Sequence, residues 1–340
     1  MTDQIKFPAN LQAIDQHEFG VLAEAYRREL HAHCYRMLGS IQEAEEMVQE
    51  TLWRAWDRRN TFEGRSTFRA WLYKIATNLC IDTLRQKPRR LLPVIRANAS
   101  TSDEPIPASI NEPIWLEPYP FDLSDSLEAN PETKYSMTES IRLAFLTSLH
   151  LLPPRQRAVL ILRDVLDWQT AEVADALGQT VSSVKSALHR ARATLAQHHN
   201  SLHEERMDEH FSDEQLREQL DSYVKAWETA DIDGLVALLR DDSIFSMPPI
   251  PSWYRGPQNI GALIRKTIFS GQASGRWRLL PTRANAQTGF GLYKFNDETG
   301  VYDGYGIQVV TFGGNQIIDI TTFRNPGLMA LFGLPSILTA

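Results

Sequence analysis

The 340-residue chain has few of the features that mark exported, membrane-spanning or cross-linked proteins. No stretch of about 18 uninterrupted apolar residues is present, and the polar opening from Met1 to Asn10 lacks the charged-then-apolar layout of an export signal. No membrane partner is expected, and a cytoplasmic location is. Cys34 and Cys80 are the only cysteines, too few for a disulfide framework or a four-thiolate zinc site, so they read as buried small hydrophobes in a reducing compartment. His198, His199, His203 and His210 lie close together, but no further ligands stand at a closed-site spacing. Neither a metal nor a cofactor is expected, and there is no internal repeat.

A hydrophobic content of 43% with 23% charged residues suffices for two to three buried cores. The net charge of −7 argues against a nucleic-acid partner only until it is resolved along the chain: +2 for residues 1–90, −6 for 91–135, +2 for 136–200 and −5 for 201–340. Eight of the 18 prolines fall in 88–135, which excludes a long helix or central strand and predicts an extended acidic linker. Its apolar island Ile114-Trp115-Leu116, with Tyr119 and Phe121, marks part of it for docking on a partner or on its own chain. The flanking blocks read as helices, broken near Gly39-Ser40 and residues 59–66 in the first, and at Pro153-Pro154, Asp167 and Gly178 in the second. From Asp213 onward the expected order is three helices (214–230, 232–240, 257–269) among β-branched and aromatic strands, closing in a hairpin at Gly313-Gly314-Asn315.

Three segments carry candidate chemistry. Within residues 170–192, Ala174, Gly178 and Val184 stand where a helix-turn-helix needs a small residue, a left-handed turn and an apolar anchor. Val181, Val184, Leu188, Ala191 and Leu195 are expected to face the core. Ser182, Ser183, Ser186, His189 and Arg190, flanked by Lys185 and Arg192, would meet base edges and phosphates, although such a core also occurs in proteins that bind no DNA. In residues 68–85, a core stripe of Phe68, Leu72, Ile75 and Leu79 lies about 100° from Trp71, Lys74, Asn78 and Arg85. An aromatic, an amide and two cations suit the capture of unstacked bases, and alone would equally describe a solvated basic face. Residues 41–56 form an acidic helix with Glu43, Glu45, Glu46 and Glu50 over Ala44, Val48 and Leu52; it would repel DNA and suits either a basic protein surface or plain solvent.

Together these motifs resemble the extracytoplasmic-function sigma factors of bacterial RNA polymerase. The match lies in Gln49-Glu50 ending the acidic helix EAEEMVQETLWRAW, the melting helix FRAWLYKIATNLCIDTLR, Leu152-Pro153-Pro154-Arg155-Gln156-Arg157 and the helix-turn-helix. The resemblance covers residues 17–90 and 138–197 and implies two all-α domains. It implies that Glu45, Glu46, Gln49 and Glu50 bind the clamp helices of the polymerase's largest subunit, with the flap as a second contact. Trp71, Lys74, Asn78 and Arg85, with the loop 60–67, would hold the minus-ten element. Ser182, Ser183, Lys185, Ser186, His189, Arg190 and Arg192 would read the minus-thirty-five element. Core polymerase and promoter DNA are the implied partners, the linker would lie along a basic polymerase channel, and the chain would not itself be an enzyme.

The last 140 residues resemble the SnoaL-like branch of the NTF2-like fold, an α+β cone-shaped sheet, on AWETADIDGLVALLRDDSIFSMPP, Tyr254-Arg255-Gly256-Pro257 and ITTFRNPGLMALFGLP. The linker segment PIWLEPYP and the ending LFGLP are most similar to the SigG-type subgroup. The implied domains are 1–90, 91–135 (linker), 136–200, 201–212 (connector) and 213–340. Asp303, Asp319, Tyr223, Tyr305 and Arg283 are candidates to line the cone, and Trp227, Phe245, Met247, Trp253, Trp277 and Tyr293 to form core or an apolar wall around an unidentified ligand. Regulation in cis is expected of this domain, through a tail including Asn325, Pro326 and Leu328 packed on the linker or the first domain. The alternative is an NTF2-like enzyme or ligand sensor fused to an ordinary DNA-binding regulator.

Overall fold

The computed structural model describes residues 14–64, 66–112, 114–120, 140–202 and 213–339. Its contacts divide it into two compact units, one of residues 1–90 and 123–198, the other of 91–122 and 199–340. His203 and His210 and the linker beyond residue 120 lie outside the described residues.

The first unit is all-α. The helices are α1 (Gln16–Glu24), α2 (Arg27–Leu38), α3 (Ile41–Asp57) and α4 (Phe68–Gln86), and α1, α3 and α4 begin where side chains satisfy their open N–H groups. Asp15 and Glu18 form a reciprocal capping box on α1, Ser40 Oγ accepts from Glu43 N–H, and Thr67 Oγ1 accepts from Ala70 N–H. Gly39, at φ 74°, ends α2. Their core includes Leu30, Cys34, Ala44, Val48, Leu72, Ala76 and Cys80, so both cysteines are buried as expected. Helices α5 (Leu143–Leu149), α6 (Pro154–Leu160), α7 (Thr170–Leu177) and α8 (Val181–Leu202) follow, with a π-helical turn at Ile161–Val165. The breaks fall where proline and Gly178, at φ 60°, place them.

These later helices dock on α2 and α4 through a polar core. Arg157, 1% exposed, donates to the carbonyls of Met37, His150 (3.0 Å) and Leu152 (3.3 Å). His150 Nδ1 lies 3.3 Å from Arg157 Nη1 and its Nε2 lies 3.2 Å from Arg36 O. Because Arg157 can only donate, Nδ1 is the acceptor and Nε2 carries the proton. Arg36 Nε in turn donates to Ser140 Oγ at 2.7 Å. Tyr73 meets Trp168 at 5.7 Å between ring centres.

The second unit is α+β. Helices α9 (Asp213–Thr229), α10 (Ile232–Ala237) and α11 (Pro257–Thr267) accompany an open mixed sheet with strand order β2-β1-β6-β5-β4-β3. The strands are β1 (Leu239–Ser246), β2 (Trp253–Arg255), β3 (Trp277–Ala284), β4 (Gln287–Asn296), β5 (Val301–Gly313) and β6 (Gln316–Phe323), with β7 (Ile337–Thr339) on β5. Among the described strands β1 and β6 pair in parallel and the other pairs are antiparallel. The α+β class is the one the resemblance implies, and the core of this unit includes Tyr223, Trp227, Phe245, Phe290, Val310 and Ile320. The helix expected over 232–240 stops at Ala237: a short apolar run fits either period, and pairing of Leu239 with Ile317 decides for strand. Within the linker, Pro93–Arg96 makes one helical turn, tolerated because its proline sits where no N–H is needed.

The tail does not extend away. Leu328 and Met329 are buried, and Met329 and Leu334 fill the space that the absent side chain of Gly291 leaves on β4. Tyr293 OH donates to Pro335 O (2.9 Å) and Gly304 N–H to Ser336 O (2.8 Å). The tail is thus seated on β4 and β5 of its own sheet. Asn325 Oδ1 accepts from Gly327 N–H at 3.0 Å, shaping the turn after Pro326.

Candidate nucleic-acid interface

On α3 the buried stripe is Ile41, Ala44, Val48, Thr51 and Ala55, with Leu52 only partly covered. Of the four acidic-helix candidates, Glu46 and Gln49 are exposed; Glu45 accepts from Arg27 (2.8 Å) and from Gln49 Nε2 (3.0 Å), and Glu50 from Arg54 (2.6 Å). Glu43 is turned to Lys87 and Arg90 at 2.8 and 3.0 Å. Burial alone would raise its carboxyl pKa, but the hydrogen bonds and charges of Arg90 and Lys87 hold it below the usual range. Trp53, one turn beyond Gln49, is 62% exposed. Reading stripe by stripe missed it; the signal available was a large aromatic off the apolar stripe of an amphipathic helix.

On α4, Phe68, Leu72 and Leu79 are buried as expected, while Ile75 is partly covered. Trp71 packs at 5.3 Å against Phe62 of the preceding loop and at 5.9 Å against Phe68, leaving it half-buried. Lys74 Nζ lies 3.2 Å from Asp175 of α7. Asn78 is exposed; its Nδ2 donates to Lys74 O (2.8 Å) and reaches Ala176 O at 3.4 Å. Arg85 pairs with Asp82 at 2.8 Å. The four residues share a face, and α7 borders it.

Ala174 and Val184 are buried and Gly178 makes the turn, so the helix-turn-helix forms as its spacing requires. Val181, expected in the core, is 42% exposed because it opens α8, and Ala187 is buried instead. Ser182, Ser183, Lys185, Ser186, His189 and Arg190 are exposed on α8. Ser183 also serves the turn: its N–H donates to Thr180 Oγ1 and its hydroxyl to Gln179 Oε1, each at 3.1 Å. Arg192 holds Asp164 through two hydrogen bonds of 2.9 and 2.7 Å, tying α8 to the π-helical turn.

In the second unit, Tyr223 OH donates to Gln308 Oε1 (2.7 Å) and Gln308 Nε2 to Thr322 Oγ1 (2.9 Å), a buried chain of neutral groups. The other cone candidates lie apart from it. Asp303 accepts from Asn296 Nδ2, Asp319 from Thr321 Oγ1, and Arg283 is exposed. Tyr305 packs edge-on to Trp277 at 5.1 Å beneath Arg324. Lys294, Asp303 and Tyr305 line an open cleft of about 510 Å³. Among the described residues no cluster could hold a metal ion and no helix is long and apolar enough to cross a membrane.

Residues 22–90 match the Sigma-70 region 2 family and residues 142–195 the Sigma-70, region 4 family. Over 320 residues the chain is 41% identical to the ECF RNA polymerase sigma factor SigG of Mycobacterium tuberculosis, covering 94% of this chain and 84% of that one. It is 29% identical over 182 residues to the ECF sigma factor SigW of Bacillus subtilis, covering 53% and 88%. The crystal structure of the Mycobacterium tuberculosis sigma factor SigJ has a similar fold, with a TM-score of 0.58 at 21% identity over 93% of this chain and 99% of that one. An acidic helix, a Trp-bearing helix and a helix-turn-helix in this order, continued by a likeness that runs through the second unit, have one reading: the chain belongs to the extracytoplasmic-function sigma factors of RNA polymerase.

Proposed function

We propose that the chain recruits core RNA polymerase through the exposed face of α3, with Glu46 and Gln49 central, Glu45 and Glu50 beside them and Trp53 added to them. Trp71, Lys74, Asn78 and Arg85 then hold the minus-ten strand once its bases unstack. Ser182, Ser183, Lys185, Ser186, His189 and Arg190 read the minus-thirty-five duplex, with Arg192 available to phosphate when it leaves Asp164. Each base stacked on an aromatic contributes roughly 1–3 kcal/mol toward the cost of melting. The phosphoryl chemistry belongs to the polymerase, and the chain acts in the cytoplasm as a specificity subunit, not an enzyme.

The domains divide as 1–90, 91–135, 136–200, 201–212 and 213–340, and the last regulates the others in cis. A Tyr223–Gln308–Thr322 chain of neutral groups that satisfies itself within a buried apolar core favours this over a ligand sensor or an isomerase. The observation that carries the reading is an acidic face bearing an exposed tryptophan on α3, next in sequence to the Trp71–Asn78 face of α4. Run-off transcription on a genomic promoter library by core polymerase tests it. Specific transcripts are expected only when the chain is added, and none above the core-alone background would remove the proposal.

A further inference from the structure

The acidic run of α3 ends at Glu50, and toward the end of the helix the charge changes sign: Arg54, Arg58 and Arg59 stand there against Asp57. A 3₁₀ turn, Arg59–Thr61, then leads toward α4. Arg58 is exposed, and its side chain makes no bond among the described residues. Arg59 is partly buried, with its guanidinium carbon 3.8 Å over the Trp56 ring and Nη1 donating to Trp56 O at 3.0 Å.

That bond caps the last turn of α3, where a cation suits the open carbonyls. A guanidinium carries five N–H donors, however, and capping engages one of them. The Nε–Nη2 edge is left without an acceptor, Nε although it is buried, and no carboxylate pairs with Arg59 among the described residues. This is the edge on which a phosphate takes two parallel bonds. Stacking on the indole fixes the plane of the group beforehand, so little freedom is lost when the oxyanion arrives.

Packed rings tie this group to the strand-holding face. Trp56 meets Phe19 at 5.4 Å, Phe19 meets Phe68 at 5.8 Å, and Phe68 meets Trp71 at 5.9 Å. By the other route, Phe62 N–H donates to Arg59 O at 3.2 Å, and the Phe62 ring meets Trp71 at 5.3 Å. The two routes close a circuit, so Arg59 and Trp71 keep a fixed separation.

We propose that Arg59, stacked on Trp56 and beside the exposed Arg58, is a phosphate site for the same strand whose unpaired bases Trp71 and Asn78 hold. This rests on the sigma-factor reading and extends the strand contact to the end of α3. A basic polymerase surface suited to the acidic face of α3 would repel this end, which makes the DNA backbone its complementary occupant. A strand pinned there by its backbone cannot slide while a base is stacked on Trp71, so the site sets register and carries no sequence information itself.

Holoenzyme assembled from core RNA polymerase and the full chain tests the site, on fork DNA that leaves unpaired the minus-ten strand of a promoter selected by run-off transcription. Each phosphate contact to a single strand contributes about 0.7 to the slope of log affinity against log salt. Arg59→Gln, which can still cap Trp56 O, is expected to lower the slope by about that amount and the affinity at 0.1 M salt about fivefold, with core affinity unchanged. Arg59→Lys keeps the charge and should keep the slope. Where glutamine unsettles the helix end, Arg59→Met takes its place with the same expectation. Methylphosphonate placed at each phosphate in turn locates the contact: at one position it should weaken the wild type about fivefold and leave Arg59→Gln unaffected. A merely structural role gives no such position. An unchanged slope, a loss of core affinity in its stead, or additive losses at every phosphate overturns the site and leaves the sigma-factor reading intact. Wild-type holoenzyme without affinity for the fork overturns both.

Discussion

Glu46→Lys combined with Trp53→Ala is expected to weaken association with core RNA polymerase by about 100-fold, measured as the dissociation constant of labelled chain from core enzyme at physiological salt. Both side chains are exposed and lie on the α3 surface opposite Ala44 and Val48, so neither change opens a cavity. An aromatic at an interface centre contributes about 2 kcal/mol when desolvated, and reversing one charge against a basic partner costs about 1 kcal/mol more. Glu43→Ala serves as the contrasting variant. Its carboxylate bonds Lys87 and Arg90, so it should lower the melting temperature with little effect on affinity in the folded protein. An unchanged dissociation constant for the double variant would show that polymerase binds elsewhere.

Arg157→Met is expected to destabilise the first unit by about 3 kcal/mol, read from urea unfolding at pH 7.5. Methionine approximates the aliphatic stem, but the carbonyls of Met37, His150 and Leu152 lose their donor in a site closed to water. Burial, then the charge of Arg89, lowers the guanidinium pKa to about 9, an indication of how much solvation it has given up. The same cluster makes the unit acid-sensitive. His150 is held well below its ordinary pKa by burial and by Arg157, and His33, bonded to Thr77 Oγ1, is lowered to about 3 by burial and the nearby arginines.

Both imidazoles are neutral when folded and take a proton near pH 6.5 when unfolded. Their depressed folded pKa values therefore give stability that is complete above about pH 6.5 and lost as pH falls below it, for His33 down to about 3, at about 1.4 kcal/mol per pH unit for each group while only its unfolded form is protonated. His150→Gln, which can still donate to Arg36 O and accept from Arg157, should remove the share of that slope due to His150 between pH 6 and 5, leaving those of His33 and of His31, whose pKa burial also lowers. An unaltered slope would mean that other groups govern acid unfolding.

Much of this molecule could be read from its residues because local chemistry and global packing agree there. Ala174, Gly178 and Val184 specify a helix-turn-helix whatever surrounds it, and the Ile114–Leu116 island announced a docked segment because three bulky apolar side chains cannot remain solvated in an acidic, proline-rich spacer. Other features were set by tertiary partners that no local pattern encodes. Leu239 joins a strand because Ile317 is beside it, and Val181 is exposed because the preceding turn places it at the mouth of α8. Arg192 is engaged by Asp164, 28 positions away, and the tail finds Gly291 and Gly304 on its own sheet. Trp53 was legible and overlooked, since attention to the acidic residues of α3 passed over an aromatic placed off the apolar stripe.

The central claim is that Trp71 and Asn78 hold bases that have left the duplex once α3 has engaged polymerase. Permanganate probing of promoter DNA with core polymerase tests it directly, because permanganate oxidises unpaired thymines. The account predicts reactive thymines around the minus-ten element with the wild-type chain, and at least about tenfold less reactivity with Trp71→Ala or Asn78→Ala at equal polymerase occupancy. A wild-type complex that occupies the promoter yet leaves every thymine unreactive would contradict it.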